Sequence, residues 1–284
     1  MKTGLIMEGG AMRGMFTAGV IDVLMEAGVC FDGAIGVSAG AVFGCNYKSR
    51  QIGRVIRYNK AYCQDPRYVS FRSLLRTGDI YGEEFCYHEL PDRLDPFDVK
   101  TYEENSMDFY VVCTDVETGK PVYHNCLKGD AEDIQWMRAS ASMPVLSRFV
   151  NLDGHMLSDG GTADSIPVRF FESIGYERNV VILTQPEGYV KKPNQLLPLL
   201  RILLRKNPAL IQALENRHER YNETIAYIKK QELSGNLLVI RPEAALNIGA
   251  VERHPEELER VYQLGRKEGE KRLAEVEKFL SDKW

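Results

Sequence analysis

The sequence predicts an α/β fold of three layers, α/β/α, around a largely parallel central sheet. Three observations carry this. Short apolar runs of strand length alternate along the chain with segments of helical periodicity. The runs are apolar almost throughout, as strands covered on both faces are. Helical segments separate the successive strands, the pattern of a parallel sheet. With 44% hydrophobic and 27% charged residues among 284, a disordered or collagen-like chain is excluded. No repeat, low-complexity tract or composition shift marks a linker, so residues 1–284 read as one domain.

Thr3–Met7 is the first strand, and Phe16–Ala27 the first helix, with Val20, Val23, Leu24 and Ala27 at helical spacing. Gly28 stands where that helix should stop. Ala34–Val37 is a second strand and Ala39–Lys48 a second helix. Asp65–Lys100 is richer in Pro, Gly and Tyr and reads as an excursion that caps the domain. Phe109–Thr114 is a third strand, followed by a helix at Ala131–Ala141. Asp153-Gly154 is a hairpin turn leading into a short strand that ends at Asp159. Val180–Thr184 is the next strand. Beyond it, residues 190–284 are mainly helical (Gln195–Lys206, Ala209–Lys230, Pro255–Leu280), with one late strand, Leu237–Ile240.

A net charge of −4 gives no global attraction to nucleic acid. No run approaches the ~18 consecutive apolar residues of a spanning helix. The opening MKTGLIMEGGAMRG has too short an apolar stretch for a secretory signal, so a cytoplasmic protein is expected. Six cysteines form no CxxC pair, and five histidines form no HExxH or HxH pair. Neither metal nor cofactor is expected.

Gly36-Val37-Ser38-Ala39-Gly40 matches GxSxG in the context that pattern needs, with apolar residues before it and a small-residue helix start after. A serine on such a turn projects its hydroxyl out of the sheet, and the helix N-terminus favours negative charge beside it. Glu8-Gly9-Gly10-Ala11-Met12-Arg13-Gly14 follows the first strand. Its spacing is neither GxGxxG nor a phosphate loop, and its backbone N–H groups suit a developing oxyanion. Ser158-Asp159-Gly160-Gly161 holds an aspartate in a glycine turn. In a Ser…acid…His order the histidine would be His218 or His254; His155 lies four residues before Asp159 and His124 ends a strand, and none of the four has a loop context that suits a base.

These three segments, in this order and at this separation, resemble the patatin-like phospholipase family. That family carries a GGGxRG oxyanion loop, a GxSxG serine and a DG[AG] aspartate working as a Ser-Asp dyad. Arg138–Val145 resembles the family's block between serine and aspartate. The resemblance covers about Leu5–Val168 strongly and Gly175–Trp284 weakly. It implies a patatin-like fold, Ser38 as nucleophile and Asp159 as general base. It also implies an oxyanion hole from the N–H groups of Gly9, Gly10, Ala11 and Ala39. Gly14, Gly36, Gly40, Gly160 and Gly161 support that geometry. Arg13 either pairs with a nearby carboxylate, holds the loop or faces a lipid phosphate. Ala11 departs from the pattern, standing where a third glycine is usual. The implied substrate is a phospholipid or other fatty-acyl ester, with a His-dependent esterase or a catalytically weak lipid-binding protein as alternatives.

Asn194–Leu214 combines Leu196, Leu197, Leu199, Leu200, Ile202, Leu203 and Leu204 with Arg201, Arg205 and Lys206. It reads either as a core helix of the outer layer or as a helix lying on anionic lipid at the inner membrane face.

Overall fold

A computed structural model describes residues 1–281, so the last three residues of the expected domain lie outside the described range. β1 (Lys2–Met7) passes through one turn of 3-10 helix into α1 (Gly14–Glu26), and β2 (Gly33–Val37) runs almost directly into α2 (Ala39–Lys48). Next come α3 (Arg54–Tyr62), α4 (Phe71–Thr77), a widened helix at Phe85–Leu94 and α5 (Val99–Glu104). β3 (Asp108–Asp115) and β4 (Pro121–Asn125) precede α6 (Ala131–Ser140), β5 (Val150–Leu152) and β6 (His155–Asp159). The chain continues through α7 (Val168–Ser173), β7 (Tyr176–Ile182), α8 (Leu197–Leu203) and α9 (Pro208–Glu215). It ends with α10 (Arg217–Leu233), β8 (Leu237–Ile240) and α11 (Pro255–Ser281).

All eight strands join one sheet in the order β5-β6-β3-β2-β1-β7-β8, with β4 also on β3. From β3 to β8 the neighbours are parallel. Side chains alternate between two cores, as a period of two requires. Leu5, Met7, Phe109, Val111, Val180 and Ile182 face one core with α1 and α2. Ile6, Ile35, Val37, Val112 and Val181 face the other, with Phe171 of α7 and Tyr221 and Ile228 of α10. This is the three-layer arrangement the apolar runs predict.

The registers place the functional strand ends. β4 pairs with Tyr110–Thr114 of β3, antiparallel, and so takes one edge. β2 pairs with Asp108–Val112 and β6 with Cys113–Asp115. Both overlap β4 along β3, so both lie on the opposite edge. β2 therefore ends at Val37↔Val112 just where β6 ends at Asp159↔Cys113. Two strands meet head to head, and the residues beyond their ends are Ser38 and Asp159's turn.

Several elements depart from expectation. The helix expected over Ala209–Lys230 is two, α9 and α10, divided at Asn216, which carries no Gly or Pro signal. Gln195–Lys206 shortens to α8, none of whose residues is buried. Leu196, Leu199, Ile202 and Leu203 are exposed, whereas Leu210 and Leu214 of α9 are buried against Val116. The apolar segment is thus a surface helix followed by a core helix. β4 carries the strand expected to end at His124 one residue further, to Asn125, with every residue of PVYHN only half-buried. Asp153 and Gly154 both have positive φ, 49° and 78°, the two-residue turn expected between β5 and β6.

α11 lies across α1 at a glycine crossing. A Cβ on Gly265 would collide with the Phe16 carbonyl, and one on Gly19 with the Tyr262 carbonyl. Tyr262 Oη donates to buried Asp22 (2.8 Å) across the same crossing. Among the described residues no helix is long and apolar enough to cross a membrane.

Candidate active site

Ser38 is the only residue between β2 and α2, with φ 54° and ψ −119°. A non-glycine residue there is strained by roughly 1–3 kcal/mol, so neighbours must enforce it. A Cβ on Gly36 would collide with the Gly40 carbonyl, and one on Gly40 with the Met7 carbonyl. Ser38 N–H donates to Ser140 Oγ (2.9 Å), and that hydroxyl donates to the Val112 carbonyl (2.6 Å). Ser140 bridges the place where β2 leaves β3.

Asp159 closes the other strand end. Its N–H donates to the Ser142 carbonyl (2.8 Å), and its own carbonyl accepts Thr114 Oγ1 (2.8 Å). Oδ1 accepts Gly161 N–H at 2.8 Å, and Oδ2 accepts Ser38 Oγ at 2.6 Å. A Cβ on Gly160 would collide with the Val112 carbonyl, so glycine lets this turn sit against β3. Burial pushes the Asp159 carboxyl above its ordinary range, against the charge of Arg217 and the Ser38 and Gly161 bonds.

The glycine loop lies against the same turn. A Cβ on Gly9 would stand 2.9 Å from the Val37 carbonyl, and one on Gly14 2.8 Å from Ala39 Cβ. Ala11 has φ 48°, which explains why a glycine is usual there and marks a local strain that alanine accepts. Among the described residues, the N–H groups of Gly9, Gly10, Ala11 and Ala39 take part in no backbone hydrogen bond of the turns and loops.

The loop is anchored by a residue that the sequence reading passed over. Glu8 is buried; its Oε2 accepts Thr184 N–H (2.5 Å) and Oγ1 (3.1 Å), and its Oε1 accepts Tyr221 Oη (2.8 Å). Among the described residues Arg13 has no carboxylate partner within ion-pair distance, contrary to one expectation. Its Nε reaches Thr184 Oγ1 at 3.4 Å, so it shares an anchor with Glu8 rather than pairing with an acid. Ser140, Ser142, Thr184, Tyr221 and Arg217 complete the surroundings. Only the serines had a signal in the sequence, as part of Arg138–Val145.

From Ser38 a cavity of about 120 Å³ runs beneath the 65–100 segment. Ala39, Val42, Phe43, Met137, Tyr87 and Leu90 are among the residues that line it. None of the five histidines hydrogen-bonds Ser38 or Asp159. His155 pairs with Asp115 and His254 with Glu252 (both 2.7 Å), while His218 Nδ1 lies 2.9 Å from the Glu215 carbonyl. His124 stacks on Trp136, 3.5 Å from Asp133. His124, Cys126 and Asp133 bring ligand atoms within 4.8 Å of one another, a set no sequence spacing announced. One oxygen of Asp133 already accepts the Lys128 and Gly129 N–H groups.

A strained serine between strand and helix, facing a buried aspartate on an α/β/α sheet, defines the class of GxSxG serine proteins. Within it, the patatin-like phospholipase model matches residues 5–171, and the chain belongs to that family. A second model, a Domain of unknown function (DUF6363), matches residues 207–281. The chain is 29% identical to the uncharacterized protein YjjU of Escherichia coli, over 99% of this chain and 80% of that one. It is also 29% identical to lysophospholipase nte1 of Aspergillus oryzae, over 61% of this chain but only 11% of the relative. VipD from Legionella pneumophila aligns over 96% of this chain and 67% of its own, with TM-score 0.46 and 14% identity.

Proposed function

We propose that this chain is a serine carboxylic-ester hydrolase acting on lipid acyl esters, with Ser38 as nucleophile and Asp159 as general base. The observation that carries the reading is the 2.6 Å bond from Ser38 Oγ to Asp159 Oδ2 at the mouth of an apolar cavity. Ser38 Oγ attacks the ester carbonyl as its proton passes to Asp159, whose raised pKa suits it to hold that proton. The N–H groups of Gly9, Gly10, Ala11 and Ala39 receive the oxyanion. Collapse returns the proton to the leaving alcohol and leaves an acyl-serine. Water, deprotonated by Asp159, then releases the fatty acid and restores Ser38. No step uses a metal or a histidine.

The cavity takes the acyl chain, and the 65–100 segment caps it, within a single hydrolase unit that includes the helical C-terminal part. The exposed leucines of α8, with Arg205 and Lys206 just beyond, suit peripheral contact with an anionic membrane from the cytoplasmic side. The test is hydrolysis of esters of increasing acyl length, and of phospholipid vesicles, by wild type, Ser38→Ala and Asp159→Ala. Loss in both variants with a preference for long chains is expected. Turnover of short soluble esters alone would remove the lipid assignment. A folded wild type that cleaves none of them would leave a lipid-binding protein.

A further inference from the structure

Arg217 opens α10, inside residues 207–281, which the model of a domain of unknown function matches. Its Nε is buried with no hydrogen-bond partner, and among the described residues no carboxylate lies within ion-pair distance of its guanidinium. One turn along the helix, Arg220 gives Nη2 to the Thr162 and Ala213 carbonyls (2.9 and 2.6 Å), while its buried Nε also lacks a partner. Both line a groove of about 300 Å³ whose wall is Thr162–Ile166, the turn that follows Asp159-Gly160-Gly161. Arg169 lines it too.

Among the described residues no carboxylate forms an ion pair with this cluster, although Asp159 feels the charge of Arg217 and Asp164 those of Arg220 and Arg169. Asp164 accepts Tyr123 Oη (2.9 Å), and burial pushes its carboxyl upward. Glu8 is engaged by Thr184 and Tyr221, and Glu223 is exposed at the groove's rim. Lys191 adds a further cation, lying 4.4 Å from the Tyr221 ring centre. Burial, followed by the charges of Arg217 and Arg13, pushes its ammonium down to about 8. Unpaired buried guanidinium donors cost stability unless a ligand meets them. The planar fork of arginine matches phosphate oxygens.

We propose that this groove binds the phosphate of a glycerophospholipid whose ester lies at Ser38, with Arg217 and Arg220 as its donors. The proposal rests on the reaction assigned above and names the residues that hold its substrate's phosphate. The geometry supports it. A Cβ on Gly161 would lie 2.9 Å from Asp159 Oδ1 and 3.1 Å from Arg217 Nη2, so one glycine separates the carboxylate from the guanidinium. In a glycerophospholipid, five or six bonds separate the ester carbonyl carbon from phosphorus, a span of roughly 6–7 Å. The acyl chain and the phosphate then leave Ser38 in different directions, one into the cavity and one toward α10. The C-terminal helices thereby select the head of the substrate.

The experiment compares dodecanoyl glycerol 3-phosphate with dodecanoyl glycerol, both kept monomeric, for wild type, Arg217→Gln and Arg217→Lys. Arg217→Gln is expected to lower kcat/KM for the phosphate ester about 10–100-fold, mostly through KM, as loss of a charge-assisted phosphate contact does. Its loss on the neutral ester should be at least tenfold smaller, and Arg217→Lys should recover part of the difference. Equal losses on both esters would reduce Arg217 to an electrostatic neighbour of Asp159 and overturn the proposal, as would no loss at all. A second arm titrates glycerol 3-phosphate and inorganic phosphate into Ser38→Ala, with and without Arg217→Gln. Binding of glycerol 3-phosphate that Arg217→Gln weakens is expected even if Ser38 proves not to be the nucleophile. Inorganic phosphate that binds at Arg217 without competing with the lysophospholipid would assign the groove to free phosphate and overturn the substrate role. Failure of wild type on both esters, with Arg217-dependent phosphate binding intact, would fault the assigned reaction and not the groove.

Discussion

Replacing Tyr221 by Phe tests whether α10 holds the glycine loop in place. The substitution removes one oxygen. Its hydroxyl donates at 2.8 Å to Oε1 of Glu8, which is 2% exposed and stands one residue before Gly9. The other carboxylate oxygen keeps both Thr184 bonds, so Phe leaves a single buried acceptor unmet. A hydrogen bond to a charged group contributes roughly 1.5–3 kcal/mol, and water has no ready access to replace it here. For a chain of this size each kcal/mol moves Tm by about 2–4 °C, so thermal unfolding of Tyr221→Phe should shift down by about 3–12 °C. Because Glu8 leads into the loop, a shift of a few tenths of an ångström would misplace its N–H groups. A displaced oxyanion donor costs up to about 3 kcal/mol in the transition state, so kcat should fall roughly tenfold or more with KM little changed. The assay is ester turnover alongside a thermal melt. Unchanged stability together with unchanged kcat would refute the anchoring role.

Asp22 gives a pH test. Burial, partly offset by the Tyr262 and Gly53 bonds, pushes its carboxyl up to about 6. A carboxyl raised in the folded state costs stability as pH climbs from its ordinary value through 6, and the cost stays constant above that. Both hydrogen bonds go to Oδ2, so an amide oxygen can accept them. Asp22→Asn should therefore gain on the order of 1–3 kcal/mol at pH 8 and only a small part of that at pH 4, measured by urea melts at both; a gain independent of pH would exclude titration as its source. Gly36→Ala should destabilise by about 2 kcal/mol or more, or misplace Ser38, because its Cβ meets the Gly40 carbonyl; normal stability with normal turnover would contradict the packing argument. Val42→Trp should fill the cavity near Ser38 and shift preference toward shorter acyl esters; an unchanged chain-length profile would place the acyl chain elsewhere.

What the sequence made legible was local. Ser38 announces itself because a strained strand-to-helix turn admits only glycine at positions 36 and 40, and Asp159 because its turn needs Gly160 against β3. The parallel strands were legible because burial on both faces leaves unbroken apolar runs. β4 was legible only by its end at His124, since a half-buried edge strand carries no such run. The division of α9 from α10 left no mark, since Asn216 stays in a helical conformation and only the direction of the chain changes. The anchors are long-range: Glu8 meets Thr184 and Tyr221 across 176 and 213 residues. No local pattern encodes such a contact. Arg217 belongs with them, since its helix face reads from composition as solvated, while the fold turns it toward the aspartate.

The central claim is that Ser38 is made nucleophilic by Asp159. Its most direct measurement is the intact mass and labelled-peptide sequence after exposure to a long-chain alkyl fluorophosphonate, which phosphonylates an activated serine and releases fluoride. One adduct on Ser38 is expected in wild type, none in Ser38→Ala, and labelling slowed by about 100-fold or more in Asp159→Asn, the scale of a lost general base. Labelling at another residue, or an Asp159→Asn variant that reacts as fast as wild type, would contradict the account.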